Sequence, residues 1–346
     1  MFFSCWLLHN CTKKSDMVTY SCLMTKKTFR TNILWKPDRP TSKGATAYHK
    51  AVVRASWHID NIQELINIFS KKIKNGDFVV DFGAGTGASS VYFLKKINKK
   101  YGLWLVDNSP SWLGKAYDIL RTNKHVNFFI LRKTKDGYET LDKTIGKKIN
   151  HVVCANTVHL IPNINKTFRG VYEALKPGGL FTFQSGNISR VGREKGLMMI
   201  DDSVKEVHDV AVKIIQTNDA FKRYRKDLAK CIRLNSDQRK LIFPDPRPVE
   251  YYVKQLLSVG FKKPAVSCKR IKVLYRDWLN FLRVRRLQAG ILPEVGGKDA
   301  SVDAQRERDK LITLAAKKLF SDLFRQNPFA DGTSFTTEWI YVSAKK

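Results

Sequence analysis

Residues 79–89 read VVDFGAGTGAS, and this stretch decides the fold. With Phe78 in front, residues 78–82 are a short run of β-branched and aromatic side chains broken only by Asp81, the composition of a buried strand. Gly83, Gly85 and Gly87 then interrupt it, and a helix-compatible segment follows through Leu94. Farther along, strands are expected at 103–106, 126–131, 151–155 and 180–183, with helices near 112–120 and 168–175. Strand and helix alternating in this way predict an α/β fold, doubly wound around a mostly parallel sheet.

Such a sheet takes its ligand at the carboxyl ends of its strands, beside the point where strand order reverses. Asp81, the glycines, Asp107 and Asn156 all fall there. A glycine turn lets backbone approach a ligand closely, and an acidic residue ending the second strand can accept both hydroxyl hydrogens of a ribose. Gly83-x-Gly85-x-x-Ala88 also satisfies the dinucleotide pattern, so a nicotinamide-dependent oxidoreductase is a rival reading. Asp81 opposes it. A carboxylate two residues ahead of the first glycine suits an ammonium group, whereas a pyrophosphate there would meet like charge. Tyr172-x-x-x-Lys176 imitates a dehydrogenase pair, but it precedes the Pro177-Gly178-Gly179 turn instead of following the fifth strand.

Four segments, 79–89 (VVDFGAGTGAS), 105–116 (LVDNSPSWLGKA), 152–162 (VVCANTVHLIP) and 175–183 (LKPGGLFTF), resemble in order the motifs of class I S-adenosylmethionine-dependent methyltransferases. The resemblance implies a Rossmann-like, seven-stranded sheet whose last strand, at 337–343, is antiparallel, with the sixth at 265–273. It implies that Asp81 and the turn of Phe82, Gly83, Ala84, Gly85 and Gly87 hold the methionine moiety. Asp107 would then bind the ribose, Asn108 would flank the adenine, and Asn156 and Thr157 would border the methionine end near the acceptor. Tyr48 and Trp57 are candidates to cover the cofactor, as in resembling enzymes, or simply to pack on the sheet. His159 sits where some members carry a histidine facing the acceptor, a candidate for proton removal; a histidine serving the fold is the other reading. After the third strand the family often has an acidic residue near the adenine amine, but here residues 131–136 read LRKTKD, leaving Asp136 as the substitute. The resemblance is clear over about 77–183, fainter beyond, and absent before Ala45.

The remaining sequence frames this unit. A chain of 346 residues with 43% apolar composition suits one elaborated domain. Residues 1–44 are expected to form a basic arm, and 45–346 the methyltransferase domain. Over 48–69 the apolar spacing predicts one broken helix or two, the second starting near Asp60. Insertions at about 184–248 and 275–332 exceed what the sheet requires and are expected to build a helical lid. Ser203 and Glu206 form a capping-box pattern before Val204, Val207, Ala211, Ile214 and Ile215, while Leu311, Ala315, Leu319, Leu323 and Phe324 make a second apolar face. Trp278, Phe281 and Leu282 make a third. These faces are expected either to enclose an apolar acceptor or to pack against one another.

Sixty-two Lys and Arg against 31 Asp and Glu give a net charge of +31, a field that draws anionic partners, unless a biased coding composition alone has spread the lysines. The lid shares it through Lys222, Arg223, Arg225, Lys226, Arg239, Lys240, Arg283, Arg285 and Arg286. The six cysteines show no C-x-x-C pair, which fits a reducing cytoplasm, and no ligand spacing suggests a metal. No transmembrane segment and no signal peptide are expected. His58, His125, His151 and His208 show no partner pattern. The expected function is methyl transfer from S-adenosylmethionine to a small-molecule or lipid-like acceptor, free or carrier-bound. RNA methylation is the alternative, ranked second because no Asn-Pro-Pro-Tyr motif of base amino-group methylation and no RNA-binding module is recognisable. An oxidoreductase or a non-catalytic scaffold comes after it.

Overall fold

The computed structural model describes residues 35–226, 228–229, 232, 244–285 and 301–346. The expected arm up to residue 34, together with Arg239, Lys240 and Arg286 of the basic lid, lies outside the described residues.

Seven strands form one sheet: β1 (Phe78–Phe82), β2 (Gly102–Asp107), β3 (Val126–Ile130), β4 (Ile149–Ala155), β5 (Leu175–Ser185), β6 (Lys262–Leu274) and β7 (Ser334–Lys345). Their spatial order is β6-β7-β5-β4-β1-β2-β3. Every pairing from β5 through β3 is parallel, and β7 runs antiparallel to both its neighbours. The mostly parallel, doubly wound sheet with its antiparallel last strand is therefore present. Order reverses between β1 and β4, so the turn after β1 opens onto the switch point.

Alternation along β1 sends Val79 to one face of the sheet and Val80 to the other, and each face has its own core. On the first, Val79, Leu103 and Leu105 meet α2 (Ser56–Phe69) and α3 (Ala88–Lys96) through Leu65, Phe69 and Phe93. On the second, Val80, Val106 and Val152 share a core with Phe168 and Val171 of α6 (Ile164–Ala174) and Tyr252 of α8 (Val249–Val259). Between these in the chain lie α4 (Pro110–Leu120), a short α5 (Leu141–Ile145) and α7 (Ile200–Thr217).

The break ahead of α2 comes earlier than Asp60. Helix α1 (Lys43–Val52) ends before Val53, and α2 begins at Ser56. Its cap is supplied from more than 200 residues away: both the backbone N–H and the hydroxyl of Ser56 donate to Asp277 Oδ2, at 2.9 and 3.1 Å. A carboxylate at a helix start satisfies an otherwise unpaired N–H and faces the positive end of the helix dipole. Asp277→Ala is expected to lower stability in denaturant titration by about 1 kcal/mol; an unchanged midpoint would show that the contact carries no capping energy.

The segments expected as insertions carry α7, α9 (Tyr275–Leu282) and α10 (Val302–Gln326). Val204, Val207, Ala211 and Ile215 are buried in α7, as are Leu311, Ala315 and Leu319 in α10. The capping box is not where the pattern placed it. Helix α7 starts three residues before Ser203, and Asp202 accepts the Met199 backbone N–H at 2.9 Å. Ser203 is inside the first turn, donating to Ile200 O and accepting from the indole N–H of the fully buried Trp278. Phe324, expected inward, is 51% exposed, while Leu323 beside it packs on the core.

Candidate active site

A cavity of about 570 Å³ opens at the carboxyl ends of β1, β2, β4 and β5. Beyond β1 the chain passes through Gly83, Gly85 and Gly87, with φ of +75°, +54° and +74°. These are left-handed angles that side chains rarely adopt. Gly83 is doubly constrained, since a Cβ there would stand 2.3 Å from Thr157 Cγ2. Thr157 cannot readily give way, because its hydroxyl bonds the carbonyls of Gly83 and Ala155 at 3.0 and 3.1 Å. Over Gly85 lies the Trp112 ring. Gly87 does not reach the cavity wall. It caps α3 and would press a Cβ to 3.0 Å from that of Ala116, so it sets how closely α3 and α4 pack.

Asp81 sits beneath this turn, 1% exposed. Its Oδ2 accepts from Ser90 Oγ at 2.5 Å, while Oδ1 has no partner. Burial, reinforced by the negative charge of Asp107, pushes its carboxyl up to about 7. Asp107 is held by backbone, with Oδ2 accepting from Gly85 N–H and Oδ1 from Ser109 N–H, both at 2.8 Å. Phe82, Ala84 and the exposed Asn108 complete this wall. On the β4 side Asn156 adopts a left-handed φ of +49°, and its N–H bonds Gln184 O at 2.9 Å. Asn156, Thr157 and His159 all line the cavity.

His159 is buried, with Nδ1 2.9 Å from Ser185 Oγ. Burial first, and the neighbouring Arg247 second, push it down to about 3. The ring is therefore neutral across the ordinary pH range and a weak base. His58, to which the sequence assigned no role, also lines the cavity; burial pushes it down to about 4, and its Nε2 has no partner.

Several wall residues were not singled out from the sequence. A two-stranded ribbon, Lys133–Thr134 with Gly137–Tyr138, brings Tyr138 and Glu139 to the rim beyond β3, beside the Asp136 that the sequence offered. The available signal was Asp136-Gly137, a turn dipeptide, with Gly137 at φ +108°. Trp112 and Gln184 carried no local signal. Tyr48 and Trp57 both line the cavity and also pack: Tyr48 lies 4.5 Å from the Trp112 ring, and Trp57 stacks on Trp339 at 5.9 Å. Helices α9 and α7 contribute Phe281 and Ile200. Tyr172 and Lys176 stand elsewhere, Tyr172 against Phe261 and Lys176 on Asn150 Oδ1, so the apparent dehydrogenase pair does not meet the cavity. Among the described residues no group of three or more His, Cys, Asp or Glu converges as metal ligands would.

Sheet order, antiparallel last strand and a glycine turn backed by two carboxylates at the switch point give the Rossmann-like fold that the resemblance to class I methyltransferases implied. Residues 80–181 match the family model described as "Methyltransferase domain". A highly reducing polyketide synthase, ctvA of Aspergillus terreus, is 28% identical over 116 residues, 33% of this chain and 5% of that protein. The chain thus spans a small fraction of that curated relative. Among solved structures, a phosphoethanolamine N-methyltransferase 2 from Haemonchus contortus, in complex with S-adenosyl-L-methionine, is 17% identical with a TM-score of 0.47, covering 88% of this chain and 56% of that one. The YcgJ protein of Bacillus subtilis is 12% identical with a TM-score of 0.46, covering 82% and 98%.

Proposed function

We propose that this chain transfers the methyl group of S-adenosylmethionine to a small-molecule or lipid-like acceptor, free or carrier-bound. The observation that carries the reading is Asp81, a buried carboxylate beside the glycine turn with one oxygen lacking a partner. An ammonium group answers that vacancy and stabilises the charged carboxylate that burial disfavours.

Asp81 and the turn from Phe82 to Gly85 are assigned to the methionine moiety, with Gly87 acting through the placement of α3. Asp107, its carboxylate set by the backbone N–H groups of Gly85 and Ser109, is assigned to the ribose hydroxyls. Asn108 flanks the adenine, and Asp136 or Glu139 on the rim takes its amine. Tyr48 and Trp112 cover this half. Asn156 and Thr157 border the methionine end. The cofactor supplies a methyl on a positively charged sulfur that is already a good leaving group. What remains for the protein is alignment and exclusion of water. The weak basicity of His159 points away from proton removal, so its assigned part is to hold Ser185, and through it Asn156, in place.

Asp81, Asp107, Asp136 and Glu139 line the cavity against a single cation there, Lys166, among the described residues. That balance opposes a polyanion despite the +31 of the whole chain, which ranks RNA second. No helix among the described residues is long and apolar enough to cross a membrane. Cys154 and Cys268 are unpaired thiols, in keeping with a cytoplasmic site of action. Incubating the full chain with methyl-labelled cofactor and fractionated cell extract tests the reading. Label is expected in the small-molecule or lipid fraction, and label confined to RNA would overturn that choice.

A further inference from the structure

Two buried polar groups on the β5–β7 side of the cavity belong to none of these cofactor assignments. Trp57, 2% exposed, lines the cavity and has no partner for its indole N–H. Gln184, fully buried on β5, lines it too; Nε2 donates to Asn61 Oδ1 at 3.1 Å and Oε1 has no partner. An unpaired polar atom in a protein interior is costly, and two of them on residues that line one cavity are answered by a ligand that pairs with both. Their surroundings are apolar: Phe281 lies 5.6 Å from the Trp57 ring, and Ile200 is tied to the end of β5 through Gly186 O. Lys166, the lone cation on the wall among the described residues, spends a hydrogen bond on Asp136 O.

Resting on the methyl-transfer reading, we infer that the acceptor is an uncharged, largely apolar molecule that presents a hydroxyl or N–H to Gln184 Oε1 and a lone pair to the Trp57 indole N–H. A phosphate or carboxylate at this end would find no guanidinium or ammonium and would lie in the field of Asp81. A cationic acceptor would leave the indole N–H unanswered. Trp57 and Gln184 are accordingly specificity-determining residues, and the apolar ring around them supplies most of the contact area.

The full chain, loaded with S-adenosylhomocysteine, is titrated calorimetrically at neutral pH with 2-naphthol and with 2-naphthyl phosphate, and the titrations are repeated on the empty chain. The naphthol is expected to bind at least tenfold tighter than its phosphate. Trp57→Phe and Gln184→Leu should each weaken naphthol binding about fivefold or more, the loss expected for one buried hydrogen bond. Both variants should leave S-adenosylhomocysteine affinity within about twofold, a split that general damage to the fold would not give. Equal or tighter binding of the phosphate, no binding of either probe, or wild-type naphthol affinity in both variants would overturn the inference. Failure of S-adenosylhomocysteine itself to bind strikes the cofactor reading instead, and probe selectivity on the empty chain then still decides the acceptor class.

Discussion

Asp81→Asn is expected to weaken binding of S-adenosylhomocysteine at least about a hundredfold, because it removes one partner of a buried charge pair while keeping the shape of the side chain. The same substitution should leave the empty protein folded and, above neutral pH, more stable. The Asp81 carboxyl is raised from 3.8 to about 7 in the folded chain, so between those values the folded state holds a proton that the unfolded state has released. Stability from this group is fully present below the unfolded value and is lost as pH rises to about 7. Wild type should therefore fall relative to Asp81→Asn by up to about 1.4 kcal/mol per pH unit across that window, and no further above it. Ligand affinity follows the opposite course. Below about pH 7 the carboxyl must release its proton to pair with an ammonium, so wild-type affinity should drop by up to about tenfold per pH unit, while the variant stays flat. Thermal melts and calorimetry over pH 5–8 read both effects; parallel pH profiles for the two proteins would remove Asp81 from the site.

Gly83→Ala is the second large effect. The added methyl would stand 2.3 Å from Thr157 Cγ2 and 2.8 Å from its Oγ1, at a φ of +75°. Relief requires moving Thr157 off the two carbonyls that its hydroxyl bonds. Strain at the backbone angle and overpacking each cost on the order of 1–3 kcal/mol, so a stability loss of about 2–5 kcal/mol is expected, with cofactor binding lost as the turn shifts. Gly83→Ala combined with Thr157→Gly removes the overlap but not the backbone strain, and should recover part of the stability. A single Gly83→Ala variant as stable as wild type, binding normally, would contradict the close turn described above.

What the sequence revealed and what it hid divide along one physical line. The alternation of strands with helices and the glycine turn were legible because β-rich runs and glycine spacing are local properties, written in consecutive residues such as Val79, Val80 and Gly83. The end of α1 was not legible, because the cap of α2 comes from Asp277 on α9, a contact that no local pattern encodes. Ser203 matched a capping box by spacing alone, but its hydroxyl is taken up by Trp278 and Ile200. Phe324 joined the predicted stripe, but it is Leu323 beside it that packs on the core while Phe324 faces largely outward. Gly87 belonged to the glycine pattern, yet its constraint is the approach of Ala116. Gln184 and Trp57 are ordinary strand and helix residues until the sheet and α2 set both on the wall of one cavity. Tertiary proximity made the proposed acceptor end, whereas local chemistry announced the proposed cofactor end.

The central claim, that the turn after β1 holds S-adenosylmethionine, is tested most directly by calorimetric titration of the full chain with S-adenosylhomocysteine and with a nicotinamide dinucleotide side by side. The account predicts one molecule of S-adenosylhomocysteine bound per chain and no heat from the dinucleotide. Binding of the dinucleotide in its place, or of neither, would contradict it.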